Sequence, residues 1–231
     1  GLTVFLTWAL CRELDPDHPL GAFVAAGLAL PSLYLWGLPE LGAIFWLLIL
    51  VRVVNRTVGP PAGILDSLGL LGLATWLSLQ GNWGYGAITA LAFLLDSQLP
   101  EQARRQLVFA LVGVVVTAIT AILGRASVGQ GAPSLTGGVI ALGLSLAFLP
   151  VVLGSRSLAS VCDQTDELVV PIREQTAQGL ALLSGLEVAV LGGPAAIVSL
   201  FPLWAATLGA AITWLYNTLT AQSTPSPPQN P

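Results

Sequence analysis

The residues best suited to chemistry form two acidic clusters in the polar parts of the sequence. The first cluster contributes Asp15, Asp17 and His18, and the second contributes Asp163 and Asp166. Carboxylates with an imidazole could hold a divalent cation, because Mg²⁺ is often bound by one or two carboxylates together with substrate phosphates. The simpler interpretation is that both clusters are polar because the loops between apolar segments face water.

Arginines follow the apolar segments on the same predicted side as the acidic clusters. Arg52, Arg56, Arg104 and Arg105 are the members of this group. A guanidinium group is a planar fork that can bind phosphate through two hydrogen bonds. Together with Mg²⁺ held by the carboxylates, these arginines would suit an enzyme that acts on a phosphorylated lipid or isoprenoid at the inner leaflet. Alternatively, the arginines collect there only because they fix the orientation of the chain in a membrane.

The remaining reactive residues are few, and their scarcity excludes several classes of site. All 8 basic residues are arginines, so the sequence offers no lysine for a Schiff base or a Walker-type phosphate loop. His18 is the only histidine, which excludes a bis-histidine haem. Cys11 and Cys162 stand alone, without the spacing of a zinc site or a disulfide framework. The sequence therefore predicts no resident metal site and identifies no cofactor.

The composition shows what kind of scaffold must position these residues. Charged residues make up 9% of the 231 residues and hydrophobic residues 55%, whereas soluble domains are roughly 25% charged. The mean hydropathy is +0.82. These values exclude a soluble globular domain, a disordered chain and a nucleic-acid-binding protein. The sequence predicts an all-α polytopic transmembrane helix bundle.

Apolar segments of suitable length predict about eight or nine spanning helices within a single domain at residues 1–219. Residues 154–178 are expected to form a cytoplasmic connecting segment that contains a helix interrupted at Pro171, and residues 220–231 a flexible Pro-rich tail. The glycine-rich stretch at residues 80–86 and the Gly192-Gly193-Pro194 sequence are expected to end helices. The predicted helices lie near residues 1–11, 19–37, 41–55, 62–79, 84–99, 106–124, 136–153, 175–191 and 195–219.

The distribution of arginines predicts the orientation of this bundle. With the predicted helices, Arg125 lies alone on one side, and the other seven arginines lie together on the opposite side. Positively charged residues are concentrated in cytoplasmic loops. We therefore expect an integral protein of a bacterial-type inner (plasma) membrane, with Gly1 outside and the C-terminal tail cytoplasmic. The seven arginines are Arg12, Arg52, Arg56, Arg104, Arg105, Arg156 and Arg173.

Two carboxylates within predicted helices are further candidates, because ionisable residues inside a membrane are often functional. Asp66 lies in the first turn of its helix, where it could stabilise the helix dipole or share a polar pocket with Arg52 or Arg56. Glu187 lies close to the outer end of its helix. It could be buried with a partner or belong to an ion pathway, or it could reach the outer surface.

The number of helices and the acidic loops resemble the intramembrane prenyltransferases, but the motifs of that family are missing. The family carries an Asn-Asp-x-x-Asp-x-x-x-Asp motif and a second Asp-x-x-x-Asp motif. Nothing in this sequence matches the first motif, and Asp163 and Asp166 are separated by two residues instead of three. The sequence is therefore assigned to no family.

Three functions are compatible with these features. The first is a transporter or channel-like protein for a small solute, the second is an accessory or scaffolding subunit of a larger membrane complex, and the third is the lipid enzyme described above. Catalysis is not the favoured hypothesis. The expected partners are membrane lipids and either copies of the same chain or other membrane subunits, and no nucleic acid.

Overall fold

The protein was analysed as a computed structural model that describes residues 1–57, 60–127 and 134–223. For residues 124–127 and 221–223 only the backbone is described, and the predicted tail from residue 224 onward lies outside the described residues. The described chain is all-α, as predicted, and consists of nine helices. They are α1 (Leu2–Leu14), α2 (Pro19–Trp36), α3 (Leu41–Asn55), α4 (Ile64–Leu79), α5 (Gly84–Asp96), α6 (Gln106–Ser127), α7 (Leu135–Gly154), α8 (Pro171–Ser199) and α9 (Phe201–Ser223).

Helix boundaries follow local sequence signals. Helix α2 begins at Pro19, whose fixed φ suits the first helical position, and stops before Gly37, which has a φ of 78°. Helix α3 ends at Asn55 and is followed by Arg56, which adopts the left-handed conformation with a φ of 56°. The predicted break near residue 193 is present, because Gly193 has a non-helical φ of 70° within α8. The chain resumes a helical course after this break, and α9 begins at Phe201.

The largest difference from the predicted layout concerns residues 154–178. Helix α8 begins at Pro171, whereas the sequence pattern placed its start near residue 175. The segment before Pro171 contains no helix; it folds back on itself through an isolated antiparallel bridge between Val161 and Leu168. Pro171 begins a helix instead of interrupting one, because proline has no N–H to contribute and the first helical turn does not require it.

Helix α3 packs closely against its neighbours in the bundle. Ten of its fifteen residues are buried. The largest, Trp46, donates a hydrogen bond of 2.8 Å to the Thr89 hydroxyl and lies edge-on to Tyr85 at 4.9 Å. Helices α2 and α9 approach closely at glycine, since a Cβ at Gly209 would lie 2.7 Å from the Gly21 carbonyl oxygen. The interior between the ends of the bundle is filled mainly by apolar side chains.

Four of the described helices are long and apolar enough to cross a membrane: Pro19–Trp36, Gln106–Leu123, Leu135–Gly154 and Pro171–Ser199. These candidate spans indicate a membrane protein. The predicted count of eight or nine spans is not confirmed. Helices α3, α4 and α5 are apolar but have 15, 16 and 13 residues, and at about 1.5 Å per residue they are shorter than a hydrocarbon core of about 30 Å.

Most charged side chains gather at one end of the bundle, which we call the polar end. It consists of residues 12–18, 52–57, 60–66, 96–106 and 154–178, which are joined by the hydrogen bonds described below. The opposite end, which we call the far end, includes Glu40, the residues around Asn82, and Glu187. The backbone N–H of Glu40 donates to the Ser199 carbonyl there at 3.1 Å.

Candidate functional site

The centre of the polar end is a buried aspartate shared by two buried arginines. Asp96 is 0% exposed, and its Oδ1 accepts a hydrogen bond of 2.8 Å from Arg56 Nη2 and one of 2.7 Å from Arg173 Nη1. Arg56 and Arg173 are 3% and 1% exposed. The three residues come from the ends of α3, α5 and α8 and are far apart in sequence. This buried triad therefore joins three helices at one point.

Backbone carbonyls complete the surroundings of the two guanidinium groups. Arg173 donates to the Pro100 carbonyl at 2.9 Å and to the Val54 carbonyl at 2.9 Å. Arg56 donates to the Glu101 carbonyl at 2.8 Å, and the Glu101 carboxylate lies 3.6 Å away. Buried charges require such partners, because an unpaired charge in a medium of low dielectric constant is strongly destabilising. Even so, Arg56 Nε and Asp96 Oδ2 have no hydrogen-bond partner in the described part of the chain.

A second charged network lies beside the triad and includes Arg52. Glu13 Oε1 pairs with Arg52 Nε at 3.1 Å. Glu13 Oε2 accepts hydrogen bonds from Asn55 Nδ2 at 3.2 Å and from the Thr57 hydroxyl at 2.5 Å. The end of α1 is thereby attached to the end of α3. The Arg52 side chain is 46% exposed, in contrast to the nearly buried guanidinium of Arg56.

Asp17 attaches the segment that precedes α8 to the start of α2. Its carboxylate accepts hydrogen bonds from the Ser160 hydroxyl at 2.6 Å, from the Ser160 N–H at 2.8 Å and from the Ala159 N–H at 3.0 Å. Burial raises the pKa of Asp17, but these hydrogen bonds outweigh it and leave the pKa below its ordinary value. Asp17 therefore acts as an ionised anchor for this segment.

Asp15 and His18 form a pair of their own. His18 Nδ1 lies 2.8 Å from Asp15 Oδ1, and the Asp15 side chain is 3% exposed. Burial raises the pKa of Asp15, and the hydrogen bond from His18 opposes this effect without reversing it. The pair lines a cavity of about 180 Å³ that also includes Asp17 and Trp214.

The second acidic cluster is placed differently from the first. Asp163 and Asp166 are exposed, and Asp166 has a positive φ of 56°. The Asp163 N–H donates to the Thr57 carbonyl at 3.0 Å, so the backbone of this segment docks on the end of α3. Among the described residues, no group of three or more His, Cys, Asp or Glu side chains has an arrangement that could hold a metal ion.

Arg52 lies between two cavities at the polar end. The α4-side cavity has a volume of about 360 Å³, and its lining includes Arg52, Arg56 and Asp66. The α1-side cavity has a volume of about 300 Å³, and its lining includes Arg52, Arg12, Phe5 and Trp8. The structure therefore brings the candidates Arg52, Arg56 and Asp66 to one cavity, although Asp66 forms no ion pair with either arginine within the described chain.

Asp66 also has the helix-capping role that the sequence suggested as one alternative. Its Oδ2 accepts a hydrogen bond of 2.7 Å from the Gly63 N–H at the start of α4. A carboxylate in this position satisfies a free backbone donor and interacts favourably with the helix dipole. The Arg105 guanidinium donates to the Ala62 carbonyl nearby, which brings a third guanidinium to the edge of the α4-side cavity.

Glu187 lies at the far end, away from the other candidates. Neither of its carboxylate oxygens, both buried, has a hydrogen-bond partner among the described residues. The carboxylate lies against Gly84 at the start of α5, so closely that a Cβ at Gly84 would overlap it. The start of α5 is instead capped by Asn82, whose Oδ1 accepts from the Gly84 N–H at 3.0 Å.

Four residues that the sequence analysis did not select are important at the polar end: Asp96, Arg173, Glu174 and Gln178. Asp96 is the last residue of its helix, three positions before a Leu-Pro pair, and Arg173 was counted only for topology. Their polarity and proximity to helix ends suggested exposure to water. Each of these residues lies next to an otherwise continuous apolar segment. A polar side chain in such a position needs a partner from another helix, and this feature of the sequence could have revealed them.

Comparisons with known proteins found no matching family model, curated protein or solved structure. The fold and the candidate spans define the class of the protein, a helical membrane protein with a charged network at one end of the described chain.

Proposed function

We propose that this membrane protein binds an amphiphile with an anionic head group at its polar end, with Arg52 as the central head-group contact. The observation that carries the proposal is the position of Arg52, a half-exposed arginine that lines both the α1-side and the α4-side cavities. A guanidinium in this position can donate hydrogen bonds to phosphate or carboxylate oxygens.

The α1-side cavity supports an amphiphilic ligand because its lining is divided between apolar and polar side chains. Phe5 and Trp8 stack at 6.1 Å on one part of the wall, and Arg12 and Arg52 contribute cationic groups to another. Phe5 is 57% exposed, so the apolar part is accessible from the outside of the bundle. A hydrocarbon chain would contact the aromatic side chains while the head group remains near the guanidinium groups.

The balance of charge favours an anionic head group on the α4 side of Arg52, where Arg52 and Arg56 share the lining with the single carboxylate of Asp66; the α1-side cavity has the carboxylates of Glu13 and Asp163 beside its two arginines. The only carboxylate paired with Arg52 among the described residues is that of Glu13, which also accepts hydrogen bonds from Asn55 and Thr57. The negative charge of Glu13 is therefore shared among three donors. Arg56 contributes a buried Nε without a partner in the described chain. An anion would complete the coordination of the half-exposed Arg52 guanidinium.

Native mass spectrometry of gently extracted protein tests the proposal. We expect the wild type to retain an anionic amphiphile, Arg52→Gln to lose it, and Arg156→Gln to keep it, because Arg156 is an exposed arginine at the same end that lines neither cavity. Equal retention by both variants would contradict the proposed site. A stoichiometric foreign protein chain, without any amphiphile, would favour an accessory subunit instead.

Transport of a small solute is the second candidate function, and the position of Glu187 favours it. Glu187 provides a carboxylate with buried, unpartnered oxygens at the far end, while the charged network occupies the polar end. Polar groups at both ends are expected of a protein that exchanges a solute between two sides. Solute uptake by proteoliposomes that is reduced by Glu187→Gln would support transport, and impermeable vesicles over a broad solute panel would oppose it.

A further inference from the structure

Three buried oxygen acceptors on one face of α8 have no hydrogen-bond donor among the described residues. They are Glu174 Oε1, Glu174 Oε2 and Gln178 Oε1. Both side chains are 0% exposed. Residues four positions apart on a helix are neighbours on the same face, so the three oxygens belong to one small region at the polar end. An unsatisfied buried acceptor is strongly unfavourable, and an ionised one more so.

The orientation of Gln178 is fixed by its amide nitrogen. Gln178 Nε2 donates to the Leu14 carbonyl at 2.8 Å and to the Ser155 hydroxyl at 2.9 Å. The amide NH₂ is therefore used at the ends of α1 and α7, and Oε1 is the atom that remains available. Flipping the amide would remove the hydrogen bond to the Leu14 carbonyl and would require Ser155 to give up its own hydrogen bond to the Val151 carbonyl, so the acceptor character of this region is built into the structure.

Apart from the Asn55 amide, the groups around Glu174 also present oxygen atoms or negative charge. Glu13, Asp15 and Asp17 are the charged side chains that act on it. Asn55 lies beside Glu174, but its Nδ2 donates to the Glu13 carbonyl at 3.0 Å and to Glu13 Oε2 at 3.2 Å. Arg173, the neighbour of Glu174 in sequence, is paired with Asp96. The region therefore has oxygen acceptors and an excess of negative charge.

We propose that Glu174 and Gln178 form a binding site for a small monovalent cation, with Na⁺ as the ion that fits their chemistry. Hard cations prefer oxygen ligands of this type, carboxylate and amide carbonyl. One carboxylate neutralises one monovalent charge. A divalent ion is disfavoured because no three acidic, imidazole or thiol ligands converge in the described chain. The site is separate from Arg52 and does not depend on the proposed head-group function.

Thermal unfolding of the purified protein in detergent tests this proposal when NaCl is exchanged for choline chloride at constant ionic strength. A ligand that binds only the folded state raises the unfolding temperature in proportion to the logarithm of its concentration above Kd. We expect such a rise with Na⁺ in the wild type and no rise in Glu174→Gln. Glu167→Gln is the matched control, since it neutralises an exposed carboxylate in the segment before α8, and it should retain the full response.

Infrared difference spectroscopy separates a bound cation from a bound proton. The cation proposal predicts a carboxylate signal that shifts when Na⁺ is added and that is missing in Glu174→Gln. A protonated-carboxyl signal at neutral pH that Na⁺ does not change and Glu174→Gln removes would overturn the proposal.

A second variant tests the site if Glu174→Gln does not fold. Gln178→Met removes one oxygen ligand from a side chain of similar length, and it should raise the Na⁺ concentration at half effect by about tenfold or more. An unchanged Na⁺ response in Gln178→Met, or the same loss of response in Glu167→Gln as in Glu174→Gln, would also overturn the proposal.

Discussion

The shared carboxylate of Asp96 is expected to be the most sensitive charged position in the molecule. Asp96→Asn keeps the shape of the side chain but removes the negative charge that faces Arg56 and Arg173 at 2.8 and 2.7 Å. Two buried guanidinium groups would then remain close together without their shared counter-charge. Removing one partner from a buried ion pair destabilises a protein by about 3–5 kcal/mol.

The expected magnitude lies near the lower end of that range. Glu101 remains 3.6 Å from Arg56, and the carbonyls of Pro100 and Val54 still accept hydrogen bonds from Arg173. A loss of about 3 kcal/mol corresponds to a fall in the unfolding temperature of roughly 6–12 °C for a chain of this size. The assay is thermal unfolding in detergent, followed by intrinsic tryptophan fluorescence.

Asp166→Asn is the matched control for Asp96→Asn. It makes the same chemical change at an exposed carboxylate, and asparagine tolerates the positive φ of 56° at this position. We expect its unfolding temperature to match that of the wild type. Equal unfolding temperatures for Asp96→Asn and Asp166→Asn would refute the reasoning.

A double-mutant cycle tests the coupling within the triad. Arg173→Met removes one of the two cations that depend on Asp96, so adding it to Asp96→Asn should cause less destabilisation than the sum of the two single changes. We expect a difference of about 1 kcal/mol or more, because the residues are in direct contact. Strictly additive effects would show that the two side chains do not stabilise each other.

Two further predictions concern Gly84 and Asp17. Gly84→Ala should destabilise the protein by about 1 kcal/mol, near the lower end of the cost of overpacking, because its Cβ would overlap the Glu187 carboxylate, which is the end of a flexible side chain and can move. Addition of Glu187→Ala should restore part of the loss, and Gly69→Ala, where a Cβ meets nothing within 4 Å, should be tolerated. Folding lowers the pKa of Asp17, so its carboxylate stabilises the protein above the ordinary aspartate pKa, about 3.9, and less as the pH falls through the folded-state value. Asp17→Asn should therefore unfold at a lower temperature than the wild type at pH 7, and the difference should shrink under acidic conditions; a constant difference over this range would oppose the proposed anchor.

The helices could be predicted from the sequence because apolar segments and their boundaries leave local signals. Pro19, Gly37 and Gly193 mark the start, the end and the break of helices where the pattern predicted them. The start of α8 was missed because Arg173 and Glu174 looked like water-facing residues. They are buried because the first turn of α8 packs into the polar end, where Asp96 supplies the counter-charge for Arg173.

The candidate site was predicted in part. Residue type and position at a helix end were sufficient to select Arg52, Arg56 and Asp66, which line one cavity. Asp96 and Arg173 were not selected, because they are 77 positions apart and only tertiary packing brings them together. A local pattern carries no information about such a contact. The sequence grouped the two acidic clusters only because both were expected on the same side of the membrane. In the structure, Asp15 pairs with His18, and Asp163 is exposed.

The most direct measurement of the central claim is a calorimetric titration of the purified protein with an alkyl phosphate. An alkyl trimethylammonium compound of the same chain length serves as the comparison of head-group charge. We predict saturable binding of the phosphate amphiphile, weakened about tenfold or more by Arg52→Gln, because a hydrogen bond to a charged group contributes about 1.5–3 kcal/mol. Binding by Arg156→Gln should equal that of the wild type. Equal affinity for both head groups, or binding that Arg52→Gln leaves unchanged, would contradict the account.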